Sequence, residues 1–415
     1  MSPQCSRWTG EIQQLIIGQY KAKYSCPILL YPARYETIPN MLSFQLDKQI
    51  TKQLIALNEL IVEKYSFLQT LPVDEKENIH RYAWISTVGA STRIENAVLT
   101  DSEIDWLDSV LGKDGKQTAL AAHKSQIEEK LSRDKDRSIE EVVGCRTVLL
   151  LIYRQAKEYL PLTEFTVRSL HHELLRYYTM PGMKKGDYKD QPNSVVQENH
   201  ATGEKKSIFK TADPGITTQM AMKELIAWYN KAIQEEPWPI AVAVEFVYRF
   251  LAIHPFQDGN GRLGRALLLM SLLHSPNEKL SEVVYYLAID RHIERHKEEY
   301  YIVLNQCSGG EYKVDPTQYK IEYFLKYMLK VLQGAMSDID FYAARAKAYK
   351  KLSASAIAVL TCFKDKAEEK IKTKDILEAT GLPKRTITTS LKTLTDKAFI
   401  ARYGQGAATY YQLIF

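Results

Sequence analysis

The residues best equipped for chemistry lie in one stretch, His254-Pro255-Phe256-Gln257-Asp258-Gly259-Asn260-Gly261-Arg262-Leu263-Gly264-Arg265. It supplies an imidazole whose pKa suits proton removal near neutrality. Asp258 is a hard oxygen ligand suited to Mg2+ shared with substrate phosphates. Gly259 and Gly261 flank Asn260 and let backbone amides approach an anion without a Cβ clash. Arg262 and Arg265, three apart, fall on one side of a first helical turn and can complete an anion clamp. The set suits removal of a hydroxyl proton beside a bound phosphate. Singly, each piece has a plainer reading: an ordinary Asn-Gly turn, a structural histidine before proline, solvated arginines at a helix start.

Two flanking runs must position these groups. Residues 240–253 follow Pro237 and Pro239 and are too continuously apolar for a surface helix, so a buried helix is expected. Leu263 to Leu273 reads as a second mostly apolar helix, which places Gly259-Asn260-Gly261 at its N-terminus. Free N–H groups and the positive end of the helix dipole then face the loop and favour phosphate.

The stretch resembles the Fic family signature, His-x-Phe-x-Asp/Glu-Gly-Asn-Gly-Arg-x-x-Arg, at every fixed position. The resemblance implies a mainly α Fic fold with a small β-hairpin flap, and transfer of a nucleoside monophosphate, usually AMP from ATP, to a protein hydroxyl. It implies His254 as general base, Phe256 as the anchor of the loop and Asp258 as the Mg2+ ligand. Gly259, Asn260 and Gly261 would form the anion hole, and Arg262 and Arg265 would hold the remaining phosphate charge. Upstream, Ser91, Glu95 and Asn96 resemble the family's inhibitory motif, Ser/Thr-x-x-x-Glu-Gly/Asn. By that likeness Glu95 reaches Arg265 and excludes a productive γ-phosphate; in some relatives the same glutamate positions a water for AMP removal, and the sequence leaves the two open.

At 415 residues the chain has length for two or three domains, and 45% hydrophobic with 25% charged residues is ordinary for a globular protein. A net charge of +5 permits a local basic patch without arguing for nucleic acid. Five scattered cysteines, with no C-x-x-C pair, disfavour a disulfide framework or a zinc site and fit a reduced, cytoplasmic setting. The N-terminus has no apolar signal core and no segment approaches the roughly 18 apolar residues of a membrane span, so no membrane partner is expected.

In chain order, residues to Asn40 read as an extended arm, and Met41 to Phe67 as an amphipathic helix. Asp74 to Val88 reads as a helix that gives way through Gly89 to a polar turn carrying Ser91 to Asn96, and 101–137 as surface helix and loop. Ser138 to Tyr159 and Thr163 to Tyr178 are further helices, the second holding His171 and His172 as packing and surface residues. Ser194-Val-Val-Gln197 and Ser207-Ile-Phe209 form a candidate hairpin, resembling in position the flap that holds a target by strand addition. Gly186-Asp-Tyr-Lys189 departs from the family's usual Gly-x-aromatic-Arg, which puts a role for Lys189 in doubt. His292 and His296 have i, i+4 spacing but read as a solvated face. Helices follow over 319–334 and 338–351.

Residues 352–415 resemble a winged helix: helix, helix, turn, helix, hairpin. Lys384, Arg385, Thr388 and Lys392 would form its contact face to DNA or to a protein partner. The expected architecture is therefore an N-terminal helical region (1–100), a Fic core (101–337), a helical linker (338–351) and a winged-helix α+β domain (352–415). The expected function is an autoinhibited protein adenylyltransferase using ATP and Mg2+ on Ser, Thr or Tyr hydroxyls, itself included, working as a homodimer. The alternatives are AMP removal, another nucleotide or a phosphocholine donor, and, in a different class, a DNA-binding regulator with a vestigial core.

Overall fold

The computed structural model describes residues 41–112, 136–179, 182–199, 204–364 and 371–413. The expected N-terminal arm and segment 113–135 lie outside them. The described chain is mainly α, with two small antiparallel two-stranded sheets.

Helix α1 (Lys48–Gln69) is opened by Asp47, whose carboxylate accepts from the Ile50 amide at 2.7 Å. It buries the stripe Ile50, Leu54, Leu57, Ile61 and Leu68. Helix α2 (Val73–Ile94) corrects the expected turn after Gly89: it runs straight through that glycine, and Ser91 and Thr92 are helical and buried. Gly89 is there for packing, because a Cβ would meet the Asp101 carboxylate and the Arg93 guanidinium. Helix α3 (Asp101–Gly112) is likewise not a surface element, since Ile104, Leu107, Val110 and Leu111 enter the core. Next come α4 (Asp136–Gln155) and α5 (Glu164–Leu174), the latter capped by Thr163 and ending at Leu174 rather than Tyr178.

The centre is made by α6 (Ile216–Glu235), α7 (Pro239–Ile253) and α8 (Asn260–Leu273). Within 240–253 every residue but Arg249 is buried, because α7 is packed by α6, α8 and the long helix over Ile321–Lys350. The other face of α8 meets α4 and α2. Between α5 and α6, β1 (Ser194–Asn199) and β2 (Glu204–Lys210) form the expected hairpin, with a register shift between Val195 and Val196. Its root is pinned by Lys210, which exchanges backbone hydrogen bonds of 2.8 Å with Gly310 and Tyr312.

Helices α9 (Glu278–Val283), α10 (Ile289–Arg295) and α11 (Lys297–Gln306) follow. The chain breaks helical geometry at His296 (φ −121°, ψ 36°), so His292 and His296 do not share one helix face; His292 pairs instead with Asp338 at 2.9 Å. Helix α12 (Ile321–Lys350) is a single helix where two were expected. Gly334 does not interrupt it, since a Cβ there would overlap the His292 imidazole. The expected linker is the end of this helix, and it buries Ile339, Tyr342, Ala343, Arg345 and Ala346.

One hydrophobic core extends from Leu42 to Ala343, so no division of the core marks residue 100. A second core, built on Val359, Phe363, Ile376, Ile387, Leu391 and Phe399, holds three helices followed by a two-stranded hairpin: α13 (Ala354–Lys364), α14 (Thr373–Thr380), α15 (Lys384–Asp396), β3 (Ile400–Tyr403) and β4 (Tyr410–Leu413). Arg345 of α12 stacks between Tyr82 of α2 and Phe399, at 5.5 and 5.1 Å. Among the described residues no helix is long and apolar enough to cross a membrane.

Candidate active site

Helix α7 stops at His254 because Pro255 cannot continue it and His254 takes the left-handed conformation, φ 53° and ψ 58°. That conformation costs a residue with a Cβ roughly 1–2 kcal/mol, so the surroundings must hold it. The His254 amide donates to the Phe250 carbonyl at 2.9 Å and Nδ1 to the Leu251 carbonyl at 3.2 Å. A carbonyl only accepts, so Nδ1 carries the proton and Nε2 keeps its lone pair. Burial, then the nearby Lys189 ammonium, push the imidazole down to about 4, against Leu251, Glu95 and Asp258. His254 is therefore a neutral acceptor across the physiological range.

The loop closes on itself through Asn260, whose Oδ1 accepts from the Phe256 amide (2.9 Å) while Nδ2 donates to the Phe256 carbonyl (2.7 Å). Phe256 is fully buried and stacks on His171, with ring centroids 3.7 Å apart. His171 accepts at Nδ1 from the Gly186 amide, so its Nε2 carries the proton and donates to the Asp258 carbonyl at 2.9 Å. This support was visible in the sequence only as a histidine within the apolar stripe Val167, Leu170, Leu174 of α5.

Gly259 begins α8 with φ +78°, where a Cβ would crowd Leu174 and His171. The amides of Asn260, Gly261 and Arg262 have no acceptor within the helix and form its anion-attracting end. Arg262 and Arg265 are 3% exposed. Arg262 donates to the Tyr178 hydroxyl at 2.6 Å, which itself donates to Glu141, and lies 3.5 Å from Asp258. Arg265 donates through Nε and Nη2 to the Ser91 hydroxyl (3.2 Å) and carbonyl (2.7 Å), and lies 3.6 Å from the buried Asp290. Burial opposes its charge, but Glu95 and Asp290 outweigh burial and raise its pKa. Asp290 had no motif to announce it.

Arg265 also donates to Glu95 at 2.9 Å, and a Cβ on Gly261 would overlap that same carboxylate. Glu95 thus lies beside Gly261 in the first turn of α8, on the side of that glycine where a Cβ would stand. It stands at the C-terminus of its own helix, where the dipole disfavours a negative charge by about 0.3–1 kcal/mol. Asn96 then takes φ 74°, its amide bonding Arg93 and the Ala97 amide reaching Thr92. This double closure is a Schellman cap, whose left-handed position suits Gly or Asn, the alternatives in the resembled motif. The latch is tied down by Arg93, bidentate to Glu294 at 2.6 and 3.0 Å, and by Lys297 on the Asn96 side chain at 3.0 Å. Replacing Asn96 by Val should cost about 1–2 kcal/mol, whereas Gly should be near neutral; thermal melts of both variants check this.

The structure thus brings Ser91, Glu95, Asn96, His254, Phe256, Asp258, Gly259, Asn260, Gly261, Arg262 and Arg265 together at one junction of α2, α7 and α8. Lys384, Arg385, Thr388 and Lys392 are exposed on α15, within the separate C-terminal core. Among the described residues no cluster of three or more His, Cys, Asp or Glu side chains could hold a metal alone. Asp258 takes the Gly259 amide at 2.6 Å on one oxygen and is 38% exposed, which fits a Mg2+ held by one carboxylate together with substrate phosphates.

Fold and site define a mainly α protein built around the anion-facing start of a buried helix. Residues 161–272 match the Fic/DOC family, so the chain carries a Fic domain over those residues. Glu95 lies outside the matched residues. Among solved structures, a Fic-domain signalling protein from Bacteroides thetaiotaomicron is 23% identical, over 70% of this chain and 97% of its own, with a TM-score of 0.50. A Fic family protein from Desulfovibrio desulfuricans is 20% identical, over 90% and 98%, also with 0.50. At that identity the two structures establish the fold.

Proposed function

We propose that the chain is an autoinhibited protein adenylyltransferase that moves AMP from ATP to a Ser, Thr or Tyr hydroxyl. One observation carries this reading: the phosphate-ready end of α8 is filled by the chain's own anion, Glu95, paired to Arg265. A site with that end open would receive the β- and γ-phosphates on the Gly259–Arg262 amides, Arg262 and Arg265.

In the transfer, the target hydroxyl oxygen bonds to the α-phosphorus and gives its proton to His254 Nε2. The bond from the α-phosphorus to the bridging oxygen breaks, and pyrophosphate leaves with the electron pair. Asp258 would hold Mg2+, which neutralises charge on the phosphates. Arg262 and the helix amides take up the charge that grows on the leaving group. The β1 edge of the hairpin would hold the target by strand addition, and exposed α15 would dock DNA or a protein partner.

ATP labelled at the α-phosphorus tests this directly. With a Glu95→Gly variant and Mg2+, α-label should become covalently attached to protein and γ-label should not. Protein labelling from the γ-phosphorus, or from CDP-choline in place of ATP, contradicts AMP transfer.

A further inference from the structure

Lys189 lies in the segment that leads into the hairpin and is only 2% exposed. Its three ammonium donors reach three acceptors: Asn193 Oδ1 at 2.8 Å, Thr211 Oγ1 at 2.9 Å and the Ile253 carbonyl at 3.0 Å. Its backbone amide donates to the Pro255 carbonyl at 2.8 Å. The residues on both sides of His254 are therefore held by one side chain and its own backbone. Asn193 precedes β1, Thr211 follows β2, and Asn193 also donates to the Phe256 carbonyl at 2.7 Å. A single buried ammonium joins both roots of the hairpin to the turn that keeps His254 left-handed.

We propose that Lys189 is a positioning residue for His254, locking the catalytic turn to the base of the hairpin; the role rests on the transfer reading above. A lysine kept only for packing would be matched by an apolar side chain of similar size, since burying an ammonium is costly. Burial pulls the Lys189 pKa down to about 8, with Asp213 opposing. The charged groups facing His254 are Lys189, which disfavours its protonation, and Glu95 and Asp258, which favour it. Above pH about 8 the neutral amine keeps two donors for three acceptors, so one of the contacts that join the turn to the hairpin roots is lost.

The test uses the full chain with Glu95→Gly as parent, against the same protein carrying Lys189→Arg or Lys189→Met, each checked by thermal melting. The parent's kcat should fall as pH rises through about 8. The Arg variant keeps its charge and should lose that alkaline limb while retaining most activity at pH 7. The Met variant should lose roughly 10- to 100-fold in kcat through misplacement of His254, with a smaller change in the KM for ATP. By NMR, its His254 imidazole should titrate at higher pH than in the parent, a readout independent of transfer. A folded Met variant with the parent's kcat and imidazole titration overturns the proposal, as does an alkaline limb that survives in the Arg variant. A parent that labels nothing contradicts the transfer reading instead; the His254 tautomer, read by NMR in the Met variant, then decides the role of Lys189, since loss of the Nδ1–H tautomer that donates to Leu251 supports it and an unchanged tautomer overturns it.

Discussion

Glu95→Gly should raise the labelling of protein from ATP by about 10²-fold or more over the wild type, equivalent to about 2.7 kcal/mol of barrier. The carboxylate now meets both Arg265 and the Gly261 backbone. Removing it opens the end of α8 and frees one guanidinium donor, while Ser91 and Asp290 still hold Arg265 in place. The fold should survive, because Glu95 is a helix-terminal residue whose carboxylate is 31% exposed and whose own helix dipole disfavours it. Glu95→Gln separates charge from shape: it keeps the bulk but weakens the pairing, so it should activate less. Initial rates of label incorporation, with melts as a control on folding, check the order.

His254→Ala in the Glu95→Gly background should reduce transfer by roughly 10²–10⁴-fold, the usual worth of general-base assistance. ATP affinity should be largely unchanged, because the phosphate contacts come from α8 and its arginines. The pH profile carries the sign. His254 has its pKa lowered to about 4, so the base form persists as pH falls below the ordinary histidine range and is lost only as pH approaches that value. The acid limb of kcat/KM that depends on His254 should therefore lie well below pH 6.5, and should vanish in the Ala variant.

Most of this site was legible because its residues are close in sequence. The turn from His254 to Arg265 is a local device, with glycine at the strained position, amides at a helix start and arginines one turn apart, and local devices leave spacing patterns. Glu95 was legible only through the likeness of Ser91, Glu95 and Asn96 to an inhibitory motif; the structure supplies the physical reason for its last position, where Asn96 takes a left-handed conformation that suits Gly or Asn. What the sequence hid was the support assembled over long separations. His171 beneath Phe256, Asp290 behind Arg265 and Tyr178 with Glu141 under Arg262 meet only through packing. Lys189 was obscured for another reason, since its chemistry was discounted for departing from an arginine.

The errors in the fold share a cause. Gly89 and Gly334 were read as breaks, but each is a helical glycine at a close contact, with Asp101 and Arg93 in one case and His292 in the other. A helix interior tolerates glycine at a cost near 1 kcal/mol when a larger side chain would clash. The histidine pair at 292 and 296 failed in the opposite sense, because helical spacing was assumed where the chain breaks at His296.

The measurement that tests the central claim most directly is covalent α-label on protein for wild type, Glu95→Gly and Glu95→Gly/His254→Ala side by side, with ATP binding measured on all three. Strong label with the single variant alone, and ATP bound by the single and double variants alike, is the predicted result. Equal labelling of wild type and Glu95→Gly would contradict the brake, and full labelling by the double variant would contradict His254 as the base.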